Sequence, residues 1–179
     1  LYRAEGQAAA VLRVQWWPMG TPHAHLRRTW SFVDAAGQCP REGRPRDSLT
    51  ELGPYRLADW DGQHADLGRV RATLQTAPFG VSLFDAGGQP LTADLAPISY
   101  VYEARTGRIS HTLSRRQDDH FYGFGEKSGL LDKQARHLRM RNTDAFGYDA
   151  ETGDPLYKHV PFYITFTGGL AYGLFYDTP

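Results

Sequence analysis

Polar and hydrophobic residues alternate with a period of two along much of the chain. The clearest case is Leu67–Thr76, where apolar residues at 70, 72 and 74 alternate with polar residues at 69, 71 and 73. Successive side chains of a strand point to opposite faces, so this pattern predicts a half-buried β-strand. No segment has the apolar spacing of an amphipathic helix. Other β-rich segments predict strands at Ala8–Trp17, Thr29–Val33, Tyr55–Trp60 and Phe79–Phe84.

Glycine-containing turns separate β-rich runs in the later part of the chain. Asp85–Gly88, Arg105–Gly107 and Thr167–Gly169 each lie between two such runs, which predicts three hairpins. The segment Asp34–Ser48 is rich in glycine, proline and charge, which predicts a long surface connection. The recurrence of strand and turn predicts an all-β fold, a large two-sheet antiparallel β-sandwich. With 179 residues, we expect one domain covering residues 1–179.

The composition narrows the possible partners and surroundings of the protein. Lysine plus arginine and aspartate plus glutamate both number 20, so the formal net charge is zero and no overall field favours nucleic acid or a membrane. Cys39 is the single cysteine, which excludes an intrachain disulfide and favours a cytoplasmic location. Apolar runs are too short for a membrane span, and residues 1–20 lack a signal-peptide pattern. The chain starts at Leu1 without an initiator Met, and we expect it to be a piece of a longer protein.

The segment Phe121–Phe166 contains the most informative chemistry. Three glycines within residues 123–129, here called the glycine-rich loop, predict a sharply folded loop that holds Glu126 and Lys127 outward. A phosphate cradle would need a helix directly after the glycines, and Leu130–Arg141 lacks an N-capped apolar stripe. The sequence therefore argues against a nucleotide site. A locally basic run predicts a solvated, salt-bridged face of a strand at His137–Arg141; it comprises Lys133, Arg136, His137, Arg139 and Arg141.

A polar excursion at residues 142–154, here called the acidic loop, lies between that run and a predicted strand at Lys158–Phe166. Such excursions often carry function. Three interpretations stay open on residue type alone: a calcium site, a sugar-binding tip or a solvated surface. The spacing does not match a helix-flanked calcium loop. The carboxylates of the loop are Asp144, Asp149, Glu151 and Asp154.

Other candidate sites have weaker signals. His23 and His25 are two residues apart beside Pro22, and would bind a metal only if a third ligand came near. Because no carboxylate or cysteine follows at a ligand-like spacing, we expect no metal site there. His111 and His120 lie around strand ends, and no nucleophile-elbow serine occurs. We therefore expect neither a metal nor a cofactor.

Several motifs together resemble the N-terminal β-domain of glycoside hydrolase family 31, the α-glucosidase family. They are Tyr122-Gly-Phe-Gly-Glu-Lys-Ser-Gly129, Arg139-Met-Arg-Asn-Thr-Asp144-Ala-Phe-Gly-Tyr-Asp149, Asp154-Pro-Leu-Tyr-Lys158 and Pro161-Phe162. Upstream, the run from Val70 to Gly80 and the Asp85–Gly88 turn are similar to the central hairpin of that domain. The resemblance extends from about Val11 onward. It implies the large β-sandwich also seen in galactose mutarotases.

The resemblance also implies that catalysis and part of the substrate binding belong to different domains of a longer enzyme. Family 31 members are retaining α-glycosidases whose two catalytic carboxylates lie on a (β/α)₈ barrel after this domain, and that barrel is absent from residues 1–179. We therefore expect no catalytic residue in this chain. By the same resemblance, the acidic loop reaches over the barrel mouth, and Asp144 binds an α-glucoside or oligosaccharide on the leaving-group side. A loop-capping role for Asp144 is the structural alternative. Where family members often carry an aromatic residue before this aspartate, the chain has Arg141-Asn-Thr, so the preferred sugar stays open.

Two alternatives from other functional classes stay open. A free-standing carbohydrate-binding module would use tryptophan as a stacking platform, and the four candidates are Trp16, Trp17, Trp30 and Trp60. Tryptophans are more often part of a core, and Trp16 and Trp17, being adjacent in a strand, must point to opposite faces. A mutarotase-like sugar epimerase would need a carboxylate and histidines converging on a bound sugar.

Overall fold

The computed structural model of the chain describes Tyr2–Ala4, Tyr55–Leu57, Asp59–Trp60, 63–66 and 70–176. Within these ranges the regular elements are all β-strands and every pairing is antiparallel, which confirms the all-β prediction. The predicted strands Ala8–Trp17 and Thr29–Val33 lie outside the described residues, as does the predicted connection Asp34–Ser48. The described residues fall into two compact units, one up to Ser114 and one from Arg115 onward.

The first unit contains the strands that precede Ser114. They are β1 (Tyr2–Ala4), β2 (Tyr55–Leu57), β3 (Asp59–Trp60), β4 (His64–Asp66), β5 (Val70–Thr76), β6 (Phe79–Asp85), β7 (Pro90–Ala93), β8 (Tyr100–Glu103) and β9 (Arg108–His111). Strands β3 to β7 form one five-stranded sheet in sequence order, while β1 pairs with β2 and β8 with β9. Neighbours along the chain are thus neighbours in the sheets.

The alternation in β5 decides which side chains enter the core of the first unit. Ala72 is fully buried and Arg71 is exposed, as the period-two pattern predicts. Ala72 pairs with Leu83 of β6, and Leu74 pairs with Val81, which is also buried. The hairpin of β5 and β6 therefore contributes much of the apolar core described for this unit.

The three predicted turns are present. Between β6 and β7, the Asp85 carboxylate accepts the Gln89 N–H at 2.7 Å. Between β8 and β9, the Gly107 N–H donates to the Glu103 carbonyl at 2.9 Å. The turn after Thr167 places Gly168 and Gly169 at φ values of 54° and 80°. Two consecutive residues with positive φ are typical of a tight two-residue hairpin turn, and glycine adopts positive φ without strain. The Gly-Gly pair therefore fixes the register of the last hairpin.

The second unit is built on the sheet β10 (His120–Gly125), β11 (His159–Thr167) and β12 (Leu170–Phe175), in that order. In β11, Thr165 and Thr167 are fully buried, and Arg116 donates from Nε to the Thr167 hydroxyl at 3.1 Å. The opposite face of β11 is apolar and more exposed; it carries Val160, Phe162, Ile164 and Phe166. A sheet with one apolar face is the layer from which sandwiches are assembled.

The predicted strand His137–Arg141 is wrong, because this segment forms no ladder with a neighbouring strand. Its backbone bonds to side chains instead. The Arg139 N–H donates to the Asp154 carboxylate at 2.6 Å, and the Arg139 carbonyl accepts a hydrogen bond from the Lys127 ammonium. The predicted strand at Lys158–Phe166 is confirmed within one residue at each end as β11.

Candidate functional site

The glycine-rich loop begins within β10, where a bulge between Gly123 and Gly125 interrupts the pairing with β11. Phe124 in the bulge has φ of 69° and stacks on Tyr163 with ring centroids 4.8 Å apart. Burial, followed by the nearby Tyr176, raises the pKa of Tyr163 above its ordinary value. The bulge therefore turns the chain out of the sheet while an aromatic contact holds it against β11.

The glycines of this loop permit close approach of backbones. A Cβ on Gly125 would lie 2.7 Å from the Val160 nitrogen, and one on Gly129 would lie 2.8 Å from the Glu151 carbonyl oxygen. The Gly129 N–H donates to the Ala150 carbonyl at 2.8 Å. No helix follows the loop among the described residues. The glycine-rich loop is thus packed against the acidic loop and lacks the helix of a phosphate cradle.

Lys127 does not project outward as the sequence predicted. Its side chain is 1% exposed, and its ammonium lies 2.8 Å from the carboxylate of Asp154, which is 10% exposed. Burial by itself raises the pKa of Asp154, but the hydrogen bonds from Lys127 and from the Arg139 N–H lower it more, so the net pKa is below the ordinary value. Glu126, in contrast, is exposed as predicted. The glycine-rich loop and the acidic loop are therefore joined by a buried ion pair.

Lys133 is also buried, at 8% exposure, so the predicted solvated basic face is wrong for this residue. Its ammonium donates to the Ser128 carbonyl at 2.9 Å and also to the Leu130 carbonyl. Burial, followed by the neighbouring Arg136, lowers the pKa of Lys133. Backbone carbonyls thus take the place of the water that would surround an exposed ammonium, and the Lys133 ammonium ties together the backbone that follows Lys127.

Further hydrogen bonds order the acidic loop, both within the loop and between the loop and the segment that follows it. Near its start, the Asn142 amide oxygen accepts the His159 N–H at 2.8 Å, and the Thr143 N–H donates to the Leu156 carbonyl at 3.0 Å. Farther along, one oxygen of Asp149 accepts the Thr152 hydroxyl at 2.8 Å and the Thr152 N–H at 2.7 Å. These bonds, the hydroxyl first, lower the pKa of Asp149. The loop is therefore a folded structure with defined anchor points.

Asp144 differs from the other aspartates of the acidic loop. Its side chain is exposed, and it forms no hydrogen bond or ion pair with the rest of the described chain. The following turn is closed by the Tyr148 N–H and the Ala145 carbonyl, 3.2 Å apart, without help from the Asp144 carboxylate. The loop-capping alternative therefore has no supporting contact, and the carboxylate is available to a ligand.

The interpretation of the acidic loop as a calcium site has no support from the side-chain positions in the described ranges. Among these residues, no group of three histidine, cysteine, aspartate or glutamate side chains converges as metal ligands would. One oxygen of Asp149 is occupied by Thr152, and both oxygens of Asp154 are occupied by Lys127 and the Arg139 N–H. His23 and His25 lie outside the described residues. The described residues contain no helix that is long and apolar enough to cross a membrane.

The other functional classes find little support in the described residues. In the first unit, the carboxylate of Asp94 bonds His111 Nε2 at 2.8 Å with one oxygen and accepts the Val81 N–H at 2.9 Å with the other. The Asp94 side chain is 3% exposed, so this pair is engaged in the fold and is not an open acid–base pair of a sugar epimerase. The tryptophan side chains of the binding-module alternative lie outside the described residues.

Comparison with known proteins identifies the family of this domain. Residues 4–179 match the model of the glycosyl hydrolase 31 N-terminal galactose mutarotase-like domain. The chain therefore belongs to this family of domains. The match confirms the predicted resemblance and the predicted mutarotase-like β-sandwich, and it covers the glycine-rich loop and the acidic loop.

Individual relatives are similar to this chain over part of its length. "Alpha-glucosidase 2" of Bacillus thermoamyloliquefaciens is 37% identical over 105 residues, which are 58% of this chain and 13% of the relative. "Alpha-glucosidase" of Saccharolobus solfataricus is 37% identical over 60 residues, 34% of this chain and 8% of the relative. This chain thus matches a small fraction of each relative's length.

A solved structure shows the same similarity. The glycoside hydrolase family 31 dextranase of Flavobacterium johnsoniae, known in complexes with isomaltotriose and with glucose, has a TM-score of 0.55 and 29% identity. The similarity covers 62% of this chain and 14% of the dextranase. This chain therefore corresponds to one domain region of much longer carbohydrate-active enzymes.

Proposed function

We propose that this chain is the noncatalytic N-terminal domain of a retaining α-glucosidase, and that Asp144 binds the sugar on the leaving-group side of the scissile bond. The domain would support a catalytic (β/α)₈ barrel in the same protein and lend its acidic loop to the substrate site. The substrate is an α-glucoside or oligosaccharide. The names of the relatives support this class of activity.

The exposed, uncommitted carboxylate of Asp144 is the observation that carries the proposal. Asp149 is bonded to Thr152 and Asp154 to Lys127, whereas the carboxylate of Asp144 has no such bond within the described chain. Asp144 follows Thr143, whose N–H donates to the Leu156 carbonyl. A carboxylate accepts two or more hydroxyl hydrogen bonds, and charge-assisted bonds of this kind are stronger than neutral ones. Vicinal hydroxyls of a sugar suit such an acceptor.

The chemical step belongs to other residues under this proposal. Retaining hydrolysis needs a nucleophilic carboxylate and an acid/base carboxylate about 5 Å apart on either side of the glycosidic bond. We assign both to the barrel and neither to this chain, and we assign no metal or cofactor to the reaction. A cytoplasmic location stays a prediction that rests on the single cysteine.

The proposal is tested by separating the domain from the barrel. The isolated chain should not hydrolyse maltose or an aryl α-glucoside, whereas the full-length enzyme should hydrolyse both. Turnover by the isolated chain that survives repurification would contradict the noncatalytic role. In the full-length enzyme, Asp144→Ala should weaken hydrolysis of the disaccharide more than that of the aryl glucoside, and an equal effect on both would contradict the assignment of Asp144.

A further inference from the structure

The buried ion pair between Lys127 and Asp154 closes the segment that carries Asp144. One Asp154 oxygen lies 2.8 Å from the Lys127 ammonium, and the other accepts the Arg139 N–H at 2.6 Å. The Lys127 ammonium also donates to the Arg139 carbonyl. Arg139 and Asp154 are the two ends of the segment that contains Asp144, so one charge pair holds both ends together.

Closing the base of a loop reduces the conformations open to its interior. Without the pair, the ends at Arg139 and Asp154 would be joined by weaker contacts, and Asp144 would sample a wider range of positions. The backbone next to Lys127 is fixed as well, because the Lys133 ammonium donates to the Ser128 carbonyl at 2.9 Å. The ion pair therefore joins the acidic loop to a part of the glycine-rich loop whose backbone is itself held in place.

A buried ion pair is seldom the arrangement that gives the most stability, because desolvation of both charges offsets much of their attraction. A buried ion pair can instead fix an orientation, because a carboxylate with one oxygen on an ammonium and one on a backbone N–H has little freedom to rotate. The pair therefore fixes the position of the chain segment that carries the carboxylate. This property suits a loop whose exposed residue must meet a ligand in one orientation.

We propose that Lys127 and Asp154 are positioning residues that hold Asp144 where it meets the leaving-group sugar. This inference rests on the proposed function of Asp144. The two side chains are only 1% and 10% exposed, so they would influence substrate preference through the position of Asp144 and not by touching the sugar. Loss of the pair should therefore act through Asp144 and should depend on the substrate.

A double-mutant cycle in the full-length enzyme tests the inference. The proteins are wild type, Asp154→Asn, Asp144→Ala and the double variant, each assayed for kcat/KM on maltose and on an aryl α-glucoside. Asp154→Asn should lower the maltose-to-aryl ratio of kcat/KM about tenfold in the wild-type background. In the Asp144→Ala background it should leave that ratio unchanged, because the carboxylate it positions is already gone.

The alternative is a purely structural pair. In that case, Asp154→Asn would lower both activities equally, or would change the ratio as much without Asp144 as with it, and either result would overturn the inference. Asp132→Asn gives a matched control: it removes the negative charge 2.6 Å from His120 Nδ1, and Asp132 forms no hydrogen bond or ion pair with the acidic loop within the described residues. Its ratio should equal that of wild type, and a tenfold shift would show that the ratio reports general damage to the domain.

Two further outcomes are distinguished by the same set of proteins: failure of Asp154→Asn to fold, and failure of the proposed sugar-binding role of Asp144. If Asp154→Asn does not yield folded enzyme, Lys127→Arg keeps the charge but alters its geometry, and it should still lower the ratio at least about threefold. An unchanged ratio in folded Lys127→Arg would overturn the inference. If Asp144→Ala itself leaves the ratio unchanged, the proposed function of Asp144 fails. If Asp144→Ala lowers the ratio and both pair variants do not, the positioning role alone fails.

Discussion

The backbone of Gly125 runs so close to β11 that a Cβ on Gly125 would lie 2.7 Å from the Val160 nitrogen. The same hypothetical atom would lie 2.8 Å from the Lys158 carbonyl oxygen. Both obstacles are backbone atoms, which cannot turn aside as a side chain could. Gly125 therefore permits the close approach of the glycine-rich loop to β11, and a larger residue at this position should push the two segments apart.

Gly125→Ala should destabilise the chain far more than the same change in an open turn. Gly107 is the matched control, because it also has a positive φ, of 70°, but a Cβ there would meet nothing within 4 Å. We expect Gly107→Ala to cost about 1 kcal/mol through backbone strain and Gly125→Ala about 2 kcal/mol more through overpacking. Urea unfolding of the three proteins measures this difference. Equal losses would mean that Gly125 is needed for its φ alone.

The charges of Lys127 and Asp154 should be coupled, so removing both should cost less than the sum of the two single losses. Asp154→Asn leaves a buried ammonium without its carboxylate, and we expect the free energy of unfolding to fall by about 3 kcal/mol. The double variant Lys127→Met/Asp154→Asn should lose at least about 1 kcal/mol less than the sum of the single losses. Denaturant titrations of the isolated chain supply all of these values.

An exposed ion pair provides the comparison for that experiment. Arg105 and Glu103 lie 3.9 Å apart with side chains 86% and 43% exposed, so Arg105→Met should cost less than about 1 kcal/mol. Strict additivity of the Lys127 and Asp154 variants, or a loss as small as that of Arg105→Met, would show that the buried pair contributes no coupling.

Acid should loosen the acidic loop through Asp149. Because its folded pKa is lowered from 3.8, chiefly by the Thr152 hydroxyl, Asp149 contributes stability above that pH and loses it as the pH falls through the folded value. The urea midpoint of wild type should thus fall more steeply between about pH 5 and pH 2 than that of Asp149→Asn, which accepts the same bonds without titrating. Parallel curves for the two proteins would contradict this role.

The strands β5, β6 and β11 and the three turns could be predicted from the sequence, because their signals are local, whereas β1, β4 and β10 were not predicted. Alternation in β5 and the Gly-Gly pair after Thr167 each depend on residues within a few positions of one another. The prediction at His137–Arg141 was wrong for a physical reason. Its backbone groups bond to Lys127 and Asp154, and no property of the segment itself indicates those partners.

The buried lysines were missed for a similar reason. Lysine is mostly exposed in proteins, so residue type alone favours the wrong answer for Lys127 and Lys133. The carboxylate partner of Lys127 is 27 positions away, and Lys133 is satisfied by backbone carbonyls that carry no sequence signature. Asp144 was selected by resemblance to the family. Its side chain is exposed and forms no hydrogen bond or ion pair within the described chain.

The most direct test of the account is the substrate dependence of Asp144→Ala in the full-length enzyme. Loss of a charged hydrogen bond to the leaving-group sugar should cost ~1.5–3 kcal/mol, or roughly ten- to 150-fold in kcat/KM for a disaccharide. An aryl α-glucoside lacks that sugar's hydroxyls, so its hydrolysis should fall much less. Glu151→Ala, which removes an exposed carboxylate from the same loop, is the matched control and should leave both substrates unaffected.

A melting curve for each protein completes the measurement. We predict that Asp144→Ala loses activity selectively on the disaccharide and keeps an unchanged melting temperature. Equal losses on both substrates together with a lowered melting temperature would show instead that Asp144 supports the loop, and would contradict its assignment to sugar binding.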